Sequence, residues 1–283
     1  MTAVLAPPRA RVRLETLPWG LVLASLAVAL FAIAGIWPQA LATHDPFAID
    51  LAAALQQPSL AHWFGTDESG RDLYSRVVFG ARESLGIGLG AAAVSLSLAV
   101  ILGTLAGLGG RATAAAVGWL LEVAFAFPAL LLSLLLIAVL GPSALTQVLA
   151  VGVGTAPGYA RIVRGQVLAA KGSGYVETAV SLGHSRTRIL GRHILPNALR
   201  PLVAIFALSV GQSIVWASSL SFLGLGVAPP SPEWGALLDA GRAYITVAPW
   251  LTVTPGLVIV TLALAATTLG RHLQLFLEKG EKS

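Results

Sequence analysis

Charged residues are scarce in this sequence, and cysteine is absent. Only 11% of the 283 residues are Asp, Glu, Lys or Arg, and 56% are hydrophobic. Soluble domains carry about 25% charged residues, so the deficit indicates a surface that faces lipid. Without cysteine, the chain can form no disulfide, no thiolate metal site and no cysteine nucleophile.

Signatures of ATP binding and of catalysis are missing as well. No GxxxxGK[ST] phosphate-binding loop occurs in the chain, and no Ser-His-Asp or paired-carboxylate constellation stands out. We therefore expect no enzymatic site and no cofactor in this chain. The net charge of +5 comes from short basic clusters between apolar runs. Because they lack a recognition-helix pattern or interleaved aromatic residues, no nucleic-acid partner is expected.

Long apolar runs fill most of the chain and predict an all-α membrane protein with six transmembrane helices, since about 20 apolar residues cross a bilayer. A cleaved signal peptide is a less favoured interpretation of the first run, because it is long enough to span and shows no obvious small-residue cleavage site. Pro128 is expected to kink the third span. The predicted spans cover residues 17–37, 84–110, 115–140, 144–160, 199–222 and 249–269.

Lys and Arg are distributed unequally between the two sides of this arrangement. Fourteen of the 18 fall on the side that holds both termini, and only Arg71, Arg76, Arg82 and Arg242 fall on the other. Because cytoplasmic loops are rich in Lys and Arg, both termini are predicted to be cytoplasmic.

The spans divide the chain into four predicted parts. Pairs at i and i+4, Asp67 with Arg71 and Asp72 with Arg76, suggest that the linker before the second span contains an interfacial helix. The predicted parts are a cytoplasmic tail at 1–16, the first span and outer linker at 17–81, a five-span core at 82–272 and a cytoplasmic tail at 273–283.

A polar segment rich in Arg, Tyr175–Asn197, lies between the fourth and fifth spans, and we call it the basic segment. Glu177 is predicted in the first turn of one short helix, and Ser185 can cap a second. Gly183 separates the two, and we expect glycine there because a side chain at this sharp break would clash. Such a loop presents a docking surface, with Glu177, Ala179 and Gly183 on its docking face.

The spacing of this segment resembles the EAA loop of ABC-importer permeases, with Thr178 in place of one alanine. In that family the loop forms coupling helices that sit in a cleft of the ATPase subunit. The resemblance implies a coupling loop at 165–198. The coupling residues that it implies are Tyr175, Glu177, Ala179, Gly183, His193 and Pro196.

A second stretch, HWFGTDESGRDLYSR from His62 to Arg76, is a more specific match. It resembles the segment that leads into a span in the dipeptide/oligopeptide/nickel branch of these permeases. We call its central part the GTD–GRD motif. The motif consists of Gly65, Thr66, Asp67, Gly70, Arg71 and Asp72.

The resemblance implies a permease subunit that forms half of a translocation pathway in the plasma (inner) membrane of a bacterium or archaeon. The implied partners are a second homologous permease, one or two kinds of P-loop ATPase subunit that bind ATP and Mg, and an extracytoplasmic solute-binding protein. The implied substrates are di- or oligopeptides, or nickel. The residues that bind the substrate are not identifiable from the sequence.

Three other interpretations stay open. A secondary transporter driven by an ion gradient would need ionisable groups near the bilayer midplane, whereas Glu122, the only acid in the third span, lies near its cytoplasmic end. A membrane scaffold would bind partners without substrate flux. A metal site formed by His44, Asp45 and His62 is conceivable because imidazoles and carboxylates bind nickel, but the spacing is loose and we expect no metal.

Overall fold

A computed structural model describes residues 19–280 of the chain. The predicted tail at 1–16 lies outside the described residues, as do the first two residues of the first predicted span and the last three of the C-terminal tail. The described part is helical, and its only strand-like feature is an isolated bridge between Thr66 and Asp72. The α-helices are α1 Trp19–Ile36, α2 Leu73–Leu108, α3 Arg111–Ala126, α4 Ala129–Leu140, α5 Ala144–Lys171, α6 Gly174–Ser181, α7 Arg186–Ile189, α8 Leu195–Leu199, α9 Leu202–Leu220, α10 Trp234–Arg242 and α11 Trp250–Gly280.

Four of these helices are long and apolar enough to cross a membrane: α1, α2, α11 and α9 with the π-helical turn that follows it. The pair α3 and α4 makes a fifth if it counts as one span. These two helices are bent by 89°, because Phe127 and Pro128 have ψ angles of 129° and 130° between them. The predicted break at Pro128 is confirmed, and it is sharper than a kink.

Three helices extend beyond the predicted spans. Helix α2 begins at Leu73 rather than at residue 84, and α5 continues to Lys171 rather than ending at 160. Helix α11 runs to Gly280, so most of the predicted C-terminal tail is helical. Hydropathy marks only the apolar part of a helix, and residues such as Arg, Leu and Gln extend it because they are good helix formers.

Helix α2 is the centre of the fold and packs against α5 and α9. Small residues allow this close approach, as is usual for helices in lipid. A Cβ atom added at Gly103 of α2 would lie 2.7 Å from the carbonyl oxygen of Ala160 in α5. One added at Gly88 would lie 2.2 Å from the side chain of Ile214 in α9. Gly88 and Gly103 of the second span therefore serve helix packing.

Candidate coupling surface and GTD–GRD motif

The basic segment folds as a chain of short helices between α5 and α9. The N–H of Gly172 donates to the carbonyl of Leu168 and closes α5, and α6 begins two residues later. Gly183 then turns the chain with a φ of 76°. Ser185 accepts a hydrogen bond from the N–H of Arg188 and caps α7. The predicted pair of helices, with glycine between them and Ser185 as the cap of the second, is confirmed.

One side of the basic segment is buried against the end of α5. The buried side chains of α6, α7, α8 and the intervening π-helical turn join those of α5 in one apolar cluster. The π-helical turn and α8 pack directly on α5, and α6 packs on α7 and that turn, so the short helices are held against the end of α5. The cluster's buried members from these elements are Ala160, Val163, Val167, Ala170, Val176, Ala179, Ile189, Ile194 and Ala198.

Ala179 does not lie on the exposed face. Its side chain is only 3% exposed, so the prediction that it belongs to the docking face is wrong. It lies with Val176 on the side of α6 that packs toward α5. Helix α6 has only eight residues and carries small or apolar residues on both faces. The sequence therefore did not show which face is buried.

The opposite side of the segment is exposed and carries mixed chemistry. Glu177 and Gly183 are exposed as predicted. Beside them lie two exposed apolar side chains, Val180 at 60% and Leu182 at 71%. Tyr175 is 43% exposed. An apolar patch with a carboxylate at its edge is a surface suited to a protein partner.

Two further predicted coupling residues lie nearer the end of the segment. Pro196 is exposed in the first turn of α8. His193 is partly buried, and its ring stacks on that of His184 with the centroids 6.0 Å apart. Nδ1 of His184 and Nε2 of His193 are buried without a hydrogen-bond partner. The stacked rings connect the turn after Gly183 to the π-helical turn.

The reason for glycine at position 183 differs from the predicted one. A Cβ atom added there would have no heavy atom within 4 Å, so the expected clash is absent. The requirement is conformational, since a φ of 76° lies in the left-handed region that side chains other than Asn and Asp rarely adopt.

The GTD–GRD motif is a tight loop and not the predicted interfacial helix. Of the two predicted pairs, Asp67 and Arg71 form an ion pair of 2.6 Å, but Asp72 does not pair with Arg76. Asp72 is instead the N-cap of α2, where it accepts the N–H of Ser75 at 2.8 Å. The helix prediction fails because Gly65 and Gly70, both with a φ of 76°, interrupt the helical conformation.

Both motif glycines are also required by space. A Cβ atom at Gly70 would lie 1.7 Å from the carbonyl oxygen of Asp50, and one at Gly65 would lie 2.5 Å from that of Gln56. Thr66, which follows Gly65, is fully buried. Its hydroxyl oxygen accepts a hydrogen bond from the N–H of Gln56 at 2.8 Å. The motif is therefore locked against the preceding segment.

A buried arginine ties this loop to two others. Arg76 is 4% exposed, and its Nε lies 3.6 Å from a carboxylate oxygen of Asp67. Its two terminal nitrogens donate to the carbonyls of Pro46 and Pro230. The GTD–GRD motif thus has a structural role at the start of α2.

The residues considered for a metal site are brought together only in part. His44 and His62 are neighbours, with ring centroids 4.9 Å apart. Asp45 is not the third member, because its carboxylate accepts the N–H of Phe47 at 2.9 Å. Asp72 takes that place and lies beside both histidines.

Sequence reasoning missed helix α10 and the residue that caps it. Glu233 caps α10 by accepting the N–H groups of Gly235 and Ala236 at 2.9 and 2.8 Å. Burial raises the pKa of Glu233 above its usual value, although these two hydrogen bonds oppose the shift. Trp234 is fully buried beside it. An acidic residue directly before a helix is a capping signal that could have located this helix.

A polar pair in the apolar helices was missed as well. Tyr159 of α5 donates its hydroxyl hydrogen to the side-chain oxygen of Gln212 in α9, at 2.8 Å. Gln212 is exposed. A lone glutamine in a predicted span could have been identified from hydropathy as a polar group that avoids lipid.

Comparison with known proteins places this arrangement in a family. The sequence profile described as "Binding-protein-dependent transport system inner membrane component" matches residues 99–279. The probable D,D-dipeptide transport system permease protein of Escherichia coli strain K12 is 41% identical over 250 residues, which cover 88% of this chain and 84% of that protein. The glutathione transport system permease protein of Pectobacterium atrosepticum is 38% identical over 263 residues, covering 93% and 87%. The dipeptide transport system permease protein of Alkalihalophilus pseudofirmus is 38% identical over 229 residues, covering 81% and 75%.

Solved structures show the same fold at low sequence identity. An inward-facing conformation of the MetNI methionine ABC transporter superposes with a TM-score of 0.58 at 16% identity, covering 71% of this chain and 96% of that one. An amino acid ABC transporter with histidines gives a TM-score of 0.56 at 16% identity, covering 72% and 94%. The chain belongs to the family of binding-protein-dependent transport system inner membrane components, the permease subunits of ABC transporters.

Proposed function

We propose that this chain is one of two permease subunits of an ATP-driven importer of short peptides, and that the basic segment couples it to the ATPase. The observation that carries the proposal is the two-sided character of that segment. One side is fixed to α5 by a buried apolar cluster, and the other exposes Glu177, Val180 and Leu182 to a partner. Such a unit can receive a movement on one side and transmit it on the other.

The proposed topology has six membrane crossings. Four are α1, α2, α9 and α11, and the bent pair α3–α4 is the fifth. We add α5 as the sixth, because its uncharged part, residues 144–160, has 17 residues, which at about 1.5 Å each span about 26 Å. This length is at the lower end of what crosses the roughly 30 Å hydrocarbon core. The excess of Lys and Arg on one side supports our proposal that both termini and the basic segment are cytoplasmic.

The proposed partners follow from this placement. ATPase subunits would bind the exposed side of the basic segment and hold ATP and Mg, since this sequence contains no phosphate-binding loop. We propose that the chain itself has no catalytic site and no catalytic cofactor. A second permease would complete the pathway, and a solute-binding protein would deliver the substrate on the opposite side of the membrane.

Transmission of movement is proposed to pass from the basic segment through α5 to α2. Rigid helices that adopt two arrangements are a common means of switching. The contact between Gly103 and Ala160 is close enough that α2 would have to follow α5. Tyr159 lies on α5, and its partner Gln212 lies on α9, which also packs against α2. We propose that this pair faces the translocation pathway, because an exposed amide is unfavourable in lipid.

Short peptides are the proposed substrates. The three relatives compared above are named for D,D-dipeptides, glutathione and dipeptides, and all of these are small peptides. None of the three is named for nickel, so the nickel alternative has less support. The solute-binding protein would make the finer selection.

The absence of cysteine makes this proposal directly testable. We would introduce Leu182→Cys, attach a photoreactive group to the thiol in membranes, irradiate, and identify the partner by mass spectrometry after purification in mild detergent. A P-loop ATPase is expected at this position. The matched control is Leu60→Cys, which is 98% exposed but lies near the GTD–GRD motif, and it should give no ATPase product.

Two results would contradict the proposal. One is a complex purified without any ATPase or second permease. The other is equal crosslinking of the ATPase from positions 182 and 60. Uptake that persists without ATP and collapses with the proton gradient would instead support a secondary transporter.

A further inference from the structure

Three side chains distant in sequence meet where α2 begins. Asp72 is the N-cap of α2, His62 precedes the GTD–GRD motif, and His44 lies in the segment after α1. Nδ1 of His62 lies 2.9 Å from Oδ1 of Asp72, and Nδ1 of His44 lies 3.8 Å from the same oxygen. One donor atom of each residue lies within 4.8 Å of the other two.

We propose that His44, His62 and Asp72 form a binding site for a divalent transition-metal ion, with Zn²⁺ as the representative ion. Tetrahedral zinc binds imidazole nitrogen and carboxylate oxygen at about 2.0–2.2 Å, which separates two ligand atoms by roughly 3.4 Å. The two measured separations from Asp72 lie on either side of this value. The ligand atoms of the two histidines lie within 4.8 Å of each other, so the imidazole rings would turn toward each other to bring all three ligands to one ion.

The carboxylate of Asp72 is prepared for this role. Its side chain is 1% exposed, and its two oxygens have different tasks. Oδ2 accepts the N–H of Ser75 at 2.8 Å and keeps the helix capped, whereas Oδ1 faces both imidazoles. A metal on Oδ1 would thus leave the cap intact and would compensate a buried negative charge.

The surroundings hold His44 in place. The hydroxyl oxygen of Ser75 accepts the backbone N–H groups of Thr43 and His44, at 3.2 and 3.0 Å. These bonds fix the segment of His44 over the first turn of α2. Because its backbone is held there, the His44 side chain is kept beside the carboxylate of Asp72.

The site is open on one side. The side chain of His44 is 43% exposed and that of His62 is 19% exposed, so an ion can reach it from solution. Three protein ligands leave a fourth tetrahedral position for water or for a partner's side chain. Two imidazoles with one carboxylate favour zinc, nickel or copper over magnesium and calcium, which prefer oxygen ligands.

Another interpretation of the same geometry is a hydrogen bond alone. His62 would donate its Nδ1 hydrogen to Asp72, and Nδ1 of His44 would bond only to the hydroxyl of Thr43, 3.0 Å away. The positive end of the α2 dipole also disfavours a cation nearby. The two interpretations differ in one measurable property, since only the metal site gives His44 a role.

The experiment uses the full-length chain in its purified complex, with an affinity tag that contains no histidine. The complex is treated with a chelator, desalted and titrated with Zn²⁺. Bound zinc is then measured by elemental mass spectrometry. The wild type is expected to bind one Zn²⁺ more per chain than His44→Ala. Loss of a group that only hydrogen-bonds to a metal ligand lowers metal affinity about 10–100-fold, so loss of the ligand His44 itself should cost at least as much.

Two control variants separate the site from general effects. Asp45→Asn changes the neighbouring carboxylate, which bonds to Phe47 and not to the cluster, and His272→Ala removes a histidine at the far end of α11, where its ring contacts Thr268. Both should retain the wild-type Zn²⁺ content. Equal Zn²⁺ content in the wild type and His44→Ala would overturn the proposal.

A second measurement needs no variant. Co²⁺ added to the wild-type complex should give the visible bands of a tetrahedral nitrogen–oxygen site, and one equivalent of Zn²⁺ should remove them, whereas excess Mg²⁺ should not. Absence of these bands, or their displacement by Mg²⁺, would contradict the site even if His44→Ala failed to assemble. Neither readout depends on transport or on the ATPase.

Discussion

The indole nitrogen of Trp234 donates a hydrogen bond of 2.8 Å to the backbone carbonyl of Val77, across 157 residues of sequence. Trp234 is the first residue of α10 and is fully buried, and Val77 lies one turn into α2. This bond, with that from the N–H of Trp234 to the hydroxyl of Ser84 at 3.0 Å, fixes α10 on the beginning of α2.

Replacement of Trp234 by Phe is therefore expected to lower the thermal stability of the chain in its complex. The variant loses a buried hydrogen bond and part of a well-packed ring, which together cost about 1–3 kcal/mol. Thermal stability can be followed as the loss of the monodisperse peak in size-exclusion chromatography after heating. Trp119→Phe is the control, since Trp119 is 67% exposed. Equal stability of the two variants would contradict the role of Trp234.

A second prediction concerns Gly70 in the GTD–GRD motif. Gly70→Ala should prevent accumulation of the folded chain, because its Cβ would lie 1.7 Å from the Asp50 carbonyl. The left-handed conformation adds about 1–2 kcal/mol of strain. Gly86→Ala is the control, since Gly86 has open space in α2. Chain levels in membranes can be measured by immunoblot, and wild-type levels of Gly70→Ala would refute the assigned geometry.

The charge of Asp67 is predicted to matter more for stability than that of Asp239, whose side chain is 33% exposed. Asp67→Asn would leave the buried Arg76 without its nearest carboxylate, and breaking a buried pair costs about 3–5 kcal/mol. Asp239→Asn breaks a pair with Arg242, whose side chain is 59% exposed, and should cost only about 0–1 kcal/mol. The same heating assay should rank Asp67→Asn far below Asp239→Asn. A reversed order would show that Arg76 does not depend on Asp67.

How far the sequence predicts this structure depends on the range of the interactions. Apolar runs located most of the long helices because burial in lipid acts on each run separately. Pro128 and Gly183 were recognised as breaks because proline and glycine act on the local backbone. The GTD–GRD motif was misassigned as a helix because the φ angles of Gly65 and Gly70 depend on contacts with a distant segment.

The cluster of His44, His62 and Asp72 also depends on contacts that the sequence does not reveal. His44 and Asp45 are adjacent in sequence, so both were grouped with His62. In the structure, a local turn directs the carboxylate of Asp45 to Phe47, and the cap of α2 brings Asp72 to the histidines instead. The face on which Ala179 lies was equally ambiguous, because the short helix α6 has apolar residues on both faces.

A fourth prediction tests the proposed pathway face. Gln212→Leu and Tyr159→Phe each remove the 2.8 Å bond between these side chains. We expect substrate uptake to fall about two- to tenfold, which corresponds to one hydrogen bond of about 0.5–1.5 kcal/mol, while complex levels stay normal. Leu264→Ala on the exposed side of α11 is the control. Unchanged uptake in both variants would place this pair outside the pathway.

The last prediction separates conformation from space at Gly183. Because its φ is 76° and its surroundings are open, Ala should cost about 1–2 kcal/mol, and a β-branched Val should cost more. Asn tolerates the left-handed region better than either. Uptake per ATP hydrolysed in reconstituted vesicles should therefore fall in the order Gly, Asn, Ala, Val. Gly191→Ala, which has open space and no positive φ, should couple normally.

The ranking of the four residues at position 183 tests whether conformation is the cause. The more a residue distorts the turn, the more contact with the ATPase should be lost. Were Asn as harmful as Val, the turn would require the absence of a side chain, and a partner surface would have to lie against Gly183. Normal uptake in Gly183→Val at normal complex levels would mean that this turn is not needed for coupling. The ratio of uptake to hydrolysis distinguishes these outcomes from simple instability, since a misfolded subunit lowers both rates and an uncoupled one lowers only uptake.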